Sequence, residues 1–141
     1  MKINKITPFL WFDGQASEAA HYYASIFKNS KVHQTSPMMA TFELDGQAFF
    51  ALNGGPHFKF NEAVSFYVNC DDQAEIDYFW GKLSEGGSQD QCGWLKDKFG
   101  LSWQIVPAIL PELMSDPEKG GKVVQAFMKM TKFDIATLKA I

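Results

Sequence analysis

Residues 3–12, INKITPFLWF, alternate so that Ile6, Pro8, Leu10 and Phe12 share one face and Thr7, Phe9 and Trp11 the other, the period of a strand. From Asp13, a candidate cap, the period lengthens. Ala16, Ala19, Ala20, Tyr23 and Phe27 recur at helical spacing until Asn29-Ser30. A weak strand is expected over 31–36 and a better one over 40–44. Asp45-Gly46 then signals a hairpin turn, and 47–52 return. Asn53-Gly54-Gly55-Pro56 break the pattern, and the chain through Asn61 reads as a linker.

The order then repeats. Residues 63–70 read as a strand, Asp71-Asp72 as a cap, and Ile76, Phe79, Trp80 and Leu83 as a helical stripe ended by Gly86-Gly87. Short strands follow through Val106. In the last, Leu101, Trp103 and Ile105 alternate with Ser102, Gln104 and Val106, and Pro107, lacking a donor, is expected to end the pairing. At a constant offset of 58, Asp13 matches Asp71, Gln15-Ala16 matches Gln73-Ala74, and Tyr22 matches Trp80. Repeated order and repeated residues together predict a duplicated βαβββ unit in an α+β domain. Module one covers 3–54, the linker 55–62, module two 63–107 and a helical tail 108–141. In the tail Asp116-Pro117-Glu118 is a helix start, Val124, Phe127 and Met128 an apolar stripe, and Ile135, Leu138 and Ile141 line a last short helix over 134–141. Helices this short must pack on the body of the domain or on a partner subunit.

Composition narrows the functional classes. The chain has 141 residues, enough for one domain with a real core, and 13 Phe, 4 Trp and 4 Tyr suit a dense core or an aromatic-lined pocket. A net charge of −3 without a basic run argues against nucleic acid. All positive residues are lysines, which disfavours dedicated bidentate recognition of anions. Two cysteines, Cys70 and Cys92, make neither a disulfide framework nor a zinc motif, so the expectation is a reducing cytoplasm with no membrane partner. Methyl transfer finds no glycine-rich loop after the first strand, and no GxSxG elbow marks a hydrolase.

The stretches TPFLWFDGQASEAAHYYASIF, FELDGQAFFALNGGPHFKFNEAVSFYVNC and GWLKDKFGLSWQIVP, in this order, closely resemble the PhnB-like family. That family is also described as demethylubiquinone methyltransferase-like, within the vicinal oxygen chelate (glyoxalase/bleomycin resistance) superfamily. The resemblance takes in nearly the whole chain, tail included. It implies two βαβββ modules forming a cupped, mostly antiparallel eight-stranded sheet, and a homodimer. Relatives usually carry a longer connection where this chain has Thr35-Ser36-Pro37-Met38.

The superfamily's metal enzymes draw His or Glu from the first and last strand of each module. By that resemblance the first-strand positions are Thr7 and Ser65, and the last-strand position of module two is Gln104. In module one the stretch 48–53 offers only Asn53 as a polar residue. Neutral oxygen donors lack the imidazoles or charge by which such sites gain affinity, so neither a metal nor another cofactor is expected. His57, in a segment that borders the cup in the family, is the best placed of the three histidines, although a linker role explains it better. The expected pocket is lined by Thr7, Phe9, Trp11, Asn53, His57, Ser65, Tyr67, Trp94, Ser102 and Gln104. A small-molecule-binding protein is the leading expectation. The alternatives are a metal-free or unconventional-metal lyase or isomerase, and a scaffold whose cup is filled by its own side chains.

Overall fold

The structure, a computed structural model, describes all residues 1–141 and divides into two compact units, Met1–Phe60 and Asn61–Ile141. No helix is long and apolar enough to cross a membrane.

The first unit runs β1 (Phe9–Phe12), α1 (Ala16–Ile26), β2 (Lys31–Thr35), β3 (Met39–Leu44) and β4 (Gln47–Asn53). The second repeats β5 (Ser65–Cys70), α2 (Gln73–Ser84), β6 (Ser88–Gln89), β7 (Trp94–Lys96) and β8 (Ser102–Pro107). It continues into α3 (Leu110–Met114), α4 (Gly120–Phe127) and α5 (Ile135–Lys139). Both βαβββ modules are therefore present. Their eight strands form two four-stranded sheets, ordered β1-β4-β3-β2 and β5-β8-β7-β6, rather than one continuous ladder. In each, the first and last strands pair parallel and the remaining pairs are antiparallel.

In the first unit α1 packs on β3, burying Ala16, Ala19, Ala20, Tyr23 and Ile26. Tyr23 meets Phe42, which stacks on Phe49 at 5.2 Å. Full burial of such side chains stabilises by about 1.5–3 kcal/mol each. β3 alternates as expected, with Ala40, Phe42 and Leu44 buried and Met39, Thr41 and Glu43 half-buried on the other face. Asp45 (φ 47°) and Gly46 (φ 83°) form the predicted two-residue hairpin between Leu44 and Gln47. The β2–β3 connection closes in a tight turn, with Ser36 N–H donating to Met39 O at 2.7 Å.

Three expectations change here. β1 is shorter than 3–12 because the ladder begins at Phe9, where Phe50 N–H donates to Pro8 O. Asp13 does not cap α1; Ala16 N–H donates instead to Asn53 Oδ1 at 2.8 Å. The helices, moreover, repeat at an offset of 57 and not 58. Ala19, Tyr23 and Ile26 answer Ile76, Trp80 and Leu83 as the buried stripe, so Trp80 corresponds to Tyr23 and not Tyr22. The cause is the turn before each helix, which has three residues (Asp13, Gly14, Gln15) in module one and two (Asp71, Asp72) in module two. The extra residue is absorbed at Gly14 (φ 79°).

In the second unit Asp72 caps α2 as expected, accepting Glu75 N–H at 2.8 Å. Pairing ends at Pro107, as expected. Pro107 lies opposite Cys70, and the next N–H, from Ala108, donates to Cys70 O. The turn after β7 is organised by Asp97, which is 2 % exposed. Its carboxylate accepts Phe99 N–H (2.8 Å), Leu101 N–H (3.1 Å) and Trp103 Nε1–H (2.9 Å).

The tail packs on its own module. Gln73 donates to Phe133 O and accepts Ile135 N–H, both at 2.9 Å, and Cys92 and Gly93 donate to Met130 O and Thr131 O. Lys132 pairs with Asp77 at 2.8 Å. Phe133 is buried beside Gly93, where an added Cβ would come within 2.5 Å of its ring and 2.7 Å of Ile105 O. The expected stripe of Val124, Phe127 and Met128 is rotated: Val123 is the buried residue and Met128 is exposed. α3, which no pattern announced, follows β8 directly.

Candidate functional site

Strand register decides which candidate residues share a surface. In the second unit Tyr67, Gln104 and Trp94 are directly paired across β5, β8 and β7. The next row holds Ser65, Ser102, Lys96 and Ser88. Residues paired in a sheet point to the same side, so Ser65, Tyr67, Trp94, Ser102 and Gln104 occupy one face. The opposite face, with Leu95, Trp103 and Ile105 buried, is turned to the helix side, where α2 packs on β7 and β8.

Gln104 Nε2 donates to Ser65 Oγ at 3.0 Å, which fixes the carboxamide between the two aromatic residues of its row. Ser102 is fully buried and its Oγ has no hydrogen-bond partner. Tyr67 is about half exposed, and partial burial, with Cys70 nearby, raises its phenol above the ordinary tyrosine value, so it stands as a neutral hydroxyl. Lys96 extends the face and pairs with Glu62 at 2.6 Å. The bond and charge of each hold Glu62 below and Lys96 above their ordinary values. Lys96 was not among the sequence candidates, although its alternation with Leu95 carries the signal.

In the first unit one row across β1, β4 and β3 holds Phe9, Phe50 and Thr41, and another holds Trp11, Leu52 and Met39. Phe9 is 55 % exposed and its ring lies 5.7 Å from that of Phe50. Trp11 is held by the loop after β4: its Nε1–H donates to Gly55 O at 2.9 Å and its ring meets Phe58 edge-on at 4.9 Å. Gly54 is required beneath it, since a Cβ there would overlap the indole.

Three candidates stand apart from these faces. Thr7 precedes β1 and donates to Asn4 O at 2.8 Å. Asn53 is committed at both ends, accepting Ala16 N–H and donating to Pro37 O at 3.0 Å. His57 is exposed in the turn after Gly55.

Register also settles which residue of module one corresponds to Gln104. Gln104 lies opposite Tyr67, and the residue opposite Phe9, the counterpart of Tyr67, is Phe50 rather than Asn53. The four equivalent positions hold the hydroxyl of Thr7, the phenyl ring of Phe50, the hydroxyl of Ser65 and the carboxamide of Gln104.

A family model for 3-demethylubiquinone-9 3-methyltransferase matches residues 4–106. The chain belongs to this family, the PhnB-like proteins. The match ends at Val106, so the tail, which the resemblance had been read to include, lies outside it. The PhnB protein of Bacillus cereus is 35 % identical over 74 % of this chain and all of its own, with a TM-score of 0.69. Protein PA1353 of Pseudomonas aeruginosa shares the fold at 23 % identity over 74 % of this chain and 97 % of its own, with a TM-score of 0.63. The fosfomycin resistance protein FosX of Listeria monocytogenes, solved with Mn(II) and sulfate, shares it at 12 % identity over 73 % and 88 % respectively, with a TM-score of 0.54. The fold of this PhnB-like chain is thus that of the glyoxalase superfamily. The comparison with curated proteins returned no match.

Proposed function

We propose that this PhnB-like protein binds a small, flat, uncharged organic molecule on the face of module two that carries Tyr67, Gln104 and Trp94, and that it works as a homodimer in the cytoplasm. One observation carries the reading: two aromatic residues flank a carboxamide whose amino group is already held by Ser65. The Gln104 carbonyl oxygen is left to accept a donor from a ligand lying between the rings. The residues at the family's metal positions favour a reading without a metal. Two hydroxyls, a phenyl ring and a carboxamide bring neither imidazole nor negative charge, and Gln104 and Ser65 are engaged with each other. The cytoplasmic part of the proposal rests on the two free cysteines, one of them fully buried.

Ligand-observed NMR with a fragment library tests it. Flat fragments bearing one N–H or O–H donor are expected to bind, with affinity falling about tenfold in Gln104→Leu, the worth of one good hydrogen bond. Trp94→Phe should keep part of the binding and Tyr67→Ala little. Fragment binding indifferent to all three substitutions refutes the site. Stoichiometric zinc, nickel or iron in the purified protein refutes the metal-free reading.

A further inference from the structure

We infer that module one carries a second binding site, at the β2–β3 edge of its sheet, where His33 accepts a hydrogen bond from a weakly acidic hydroxyl group such as that of a phenol or enol. It is independent of the face proposed for module two.

The site begins with an irregularity. Val32 pairs with Phe42 and Gln34 with Thr41, so His33 is an extra residue, a β-bulge. Bulges bend a strand and re-aim a side chain. Here both His33 and Gln34 line a groove of about 710 Å³ together with Thr35, Ser36, Met38, Met39, Thr41 and Phe50.

His33 is oriented from behind. Its Nε2 lies 3.2 Å from Glu43 Oε1, and the two side chains are 21 % and 26 % exposed. Nε2 is shut off from solvent and makes no hydrogen bond, and the Glu43 carboxylate stands at ion-pair distance from it. A carboxylate beside one ring nitrogen favours the proton there and leaves the lone pair on the other, Nδ1. The imidazole then presents Nδ1 as its hydrogen-bond acceptor.

The rest of the lining selects the ligand. Met38, Met39 and Phe50 supply polarisable apolar contact, and Gln34, Thr35, Ser36 and Thr41 supply neutral polar groups. No lysine and no carboxylate lines the groove. With Glu43 behind His33, an anion meets repulsion; a cation meets a carboxylate already engaged. What fits is an uncharged ring with one acidic O–H, its plane against Phe50 and the thioethers, its hydroxyl on Nδ1.

The full chain titrated at pH 7 with 4-chlorophenol, which is uncharged there, and with its methyl ether, 4-chloroanisole, tests the site by calorimetry. The phenol is expected to bind at least about tenfold tighter than the ether, the equivalent of one hydrogen bond. His33→Phe should erase that preference and Glu43→Gln should lower it several-fold, both with unchanged circular dichroism. Should His33→Phe fail to fold, Glu43→Gln alone decides, since it keeps the strand and the imidazole. Trp94→Phe should leave the preference intact. Equal affinity for the two compounds, no binding of 4-chlorophenol, or a preference that survives both module-one substitutions overturns the proposal. A preference lost in Trp94→Phe also overturns it, because it assigns the binding to module two. Fragment binding indifferent to Gln104→Leu, Trp94→Phe and Tyr67→Ala, with the chlorophenol preference intact, would sink the proposed function and leave this site standing.

Discussion

Replacing Asp97 probes the turn that holds β7 and β8 in register. The carboxylate is 2 % exposed and receives three N–H groups, from Phe99, Leu101 and Trp103. Leu101 and Trp103 are themselves 2 % and 3 % exposed, so their donors cannot turn to water once the acceptor is gone. A buried donor left without a partner costs about 1–3 kcal/mol. Two such donors and the half-buried third place Asp97→Ala at about 3–5 kcal/mol of lost stability. Asp97→Asn keeps one oxygen for the two backbone groups but turns an amino group toward the indole N–H, for a loss of about 2 kcal/mol. In a chain of this length each kcal/mol lowers the melting temperature by about 2–4 °C. The alanine variant should therefore melt roughly 10 °C or more below the parent. Thermal denaturation followed by circular dichroism measures both variants. Trp103→Phe, alone and combined with Asp97→Ala, completes a cycle whose expected coupling is about 1–2 kcal/mol. An alanine variant within about 1 kcal/mol of the parent, or a coupling near zero, refutes the assignment of Asp97 as the organiser of this turn.

Two further outcomes follow from the tail and from Cys70. Gln73→Leu removes both hydrogen bonds to the Phe133–Ile135 segment. Limited proteolysis should then cleave within residues 128–141 at least about tenfold faster, because local opening is governed by local stability; an unchanged cleavage rate would show that Phe133 holds the tail without this bond. Burial, reinforced by the charges of Glu75 and Asp71, pushes the Cys70 thiol up to about 12 from a starting value of 9.0. Between these values the unfolded chain ionises and the folded chain does not. Stability therefore falls as pH rises above about 9, and this contribution is flat below it. Urea midpoints from pH 7 to pH 10.5 should show the decline in the parent and a shallower one in Cys70→Ala; parallel curves would refute it.

The sequence made the architecture readable because its strongest signals are local. Asp72 caps the helix beginning one residue later, Asp45-Gly46 adopt the φ values a two-residue hairpin demands, and β3 alternates without interruption. What escaped depends on partners distant in the chain. The Asp13 cap was inferred from proximity, whereas the acceptor that α1 uses comes from Asn53, 37 residues on. The 58-residue offset holds for β1 and β5 but slips by one in the helices, a difference that only burial reveals. Alternation correctly grouped Ser65 with Tyr67, and Ser102 with Gln104. It could not show that Gln104 and Ser65 touch, because that depends on the parallel pairing of β5 with β8. Nor could it find His33, since a bulge breaks the very period being read.

Asn53 couples two features that look unrelated along the chain. Its carbonyl oxygen starts α1 and its amino group fastens the Pro37 carbonyl in the short turn between β2 and β3. The conformation of that turn and the identity of residue 53 are therefore physically coupled. An insertion near Pro37 would strand the amide of Asn53, and a substitution at 53 would release the turn and the first helix together. Engineering of the β2–β3 edge, where His33 lies, has to preserve this joint or replace both of its ends at once.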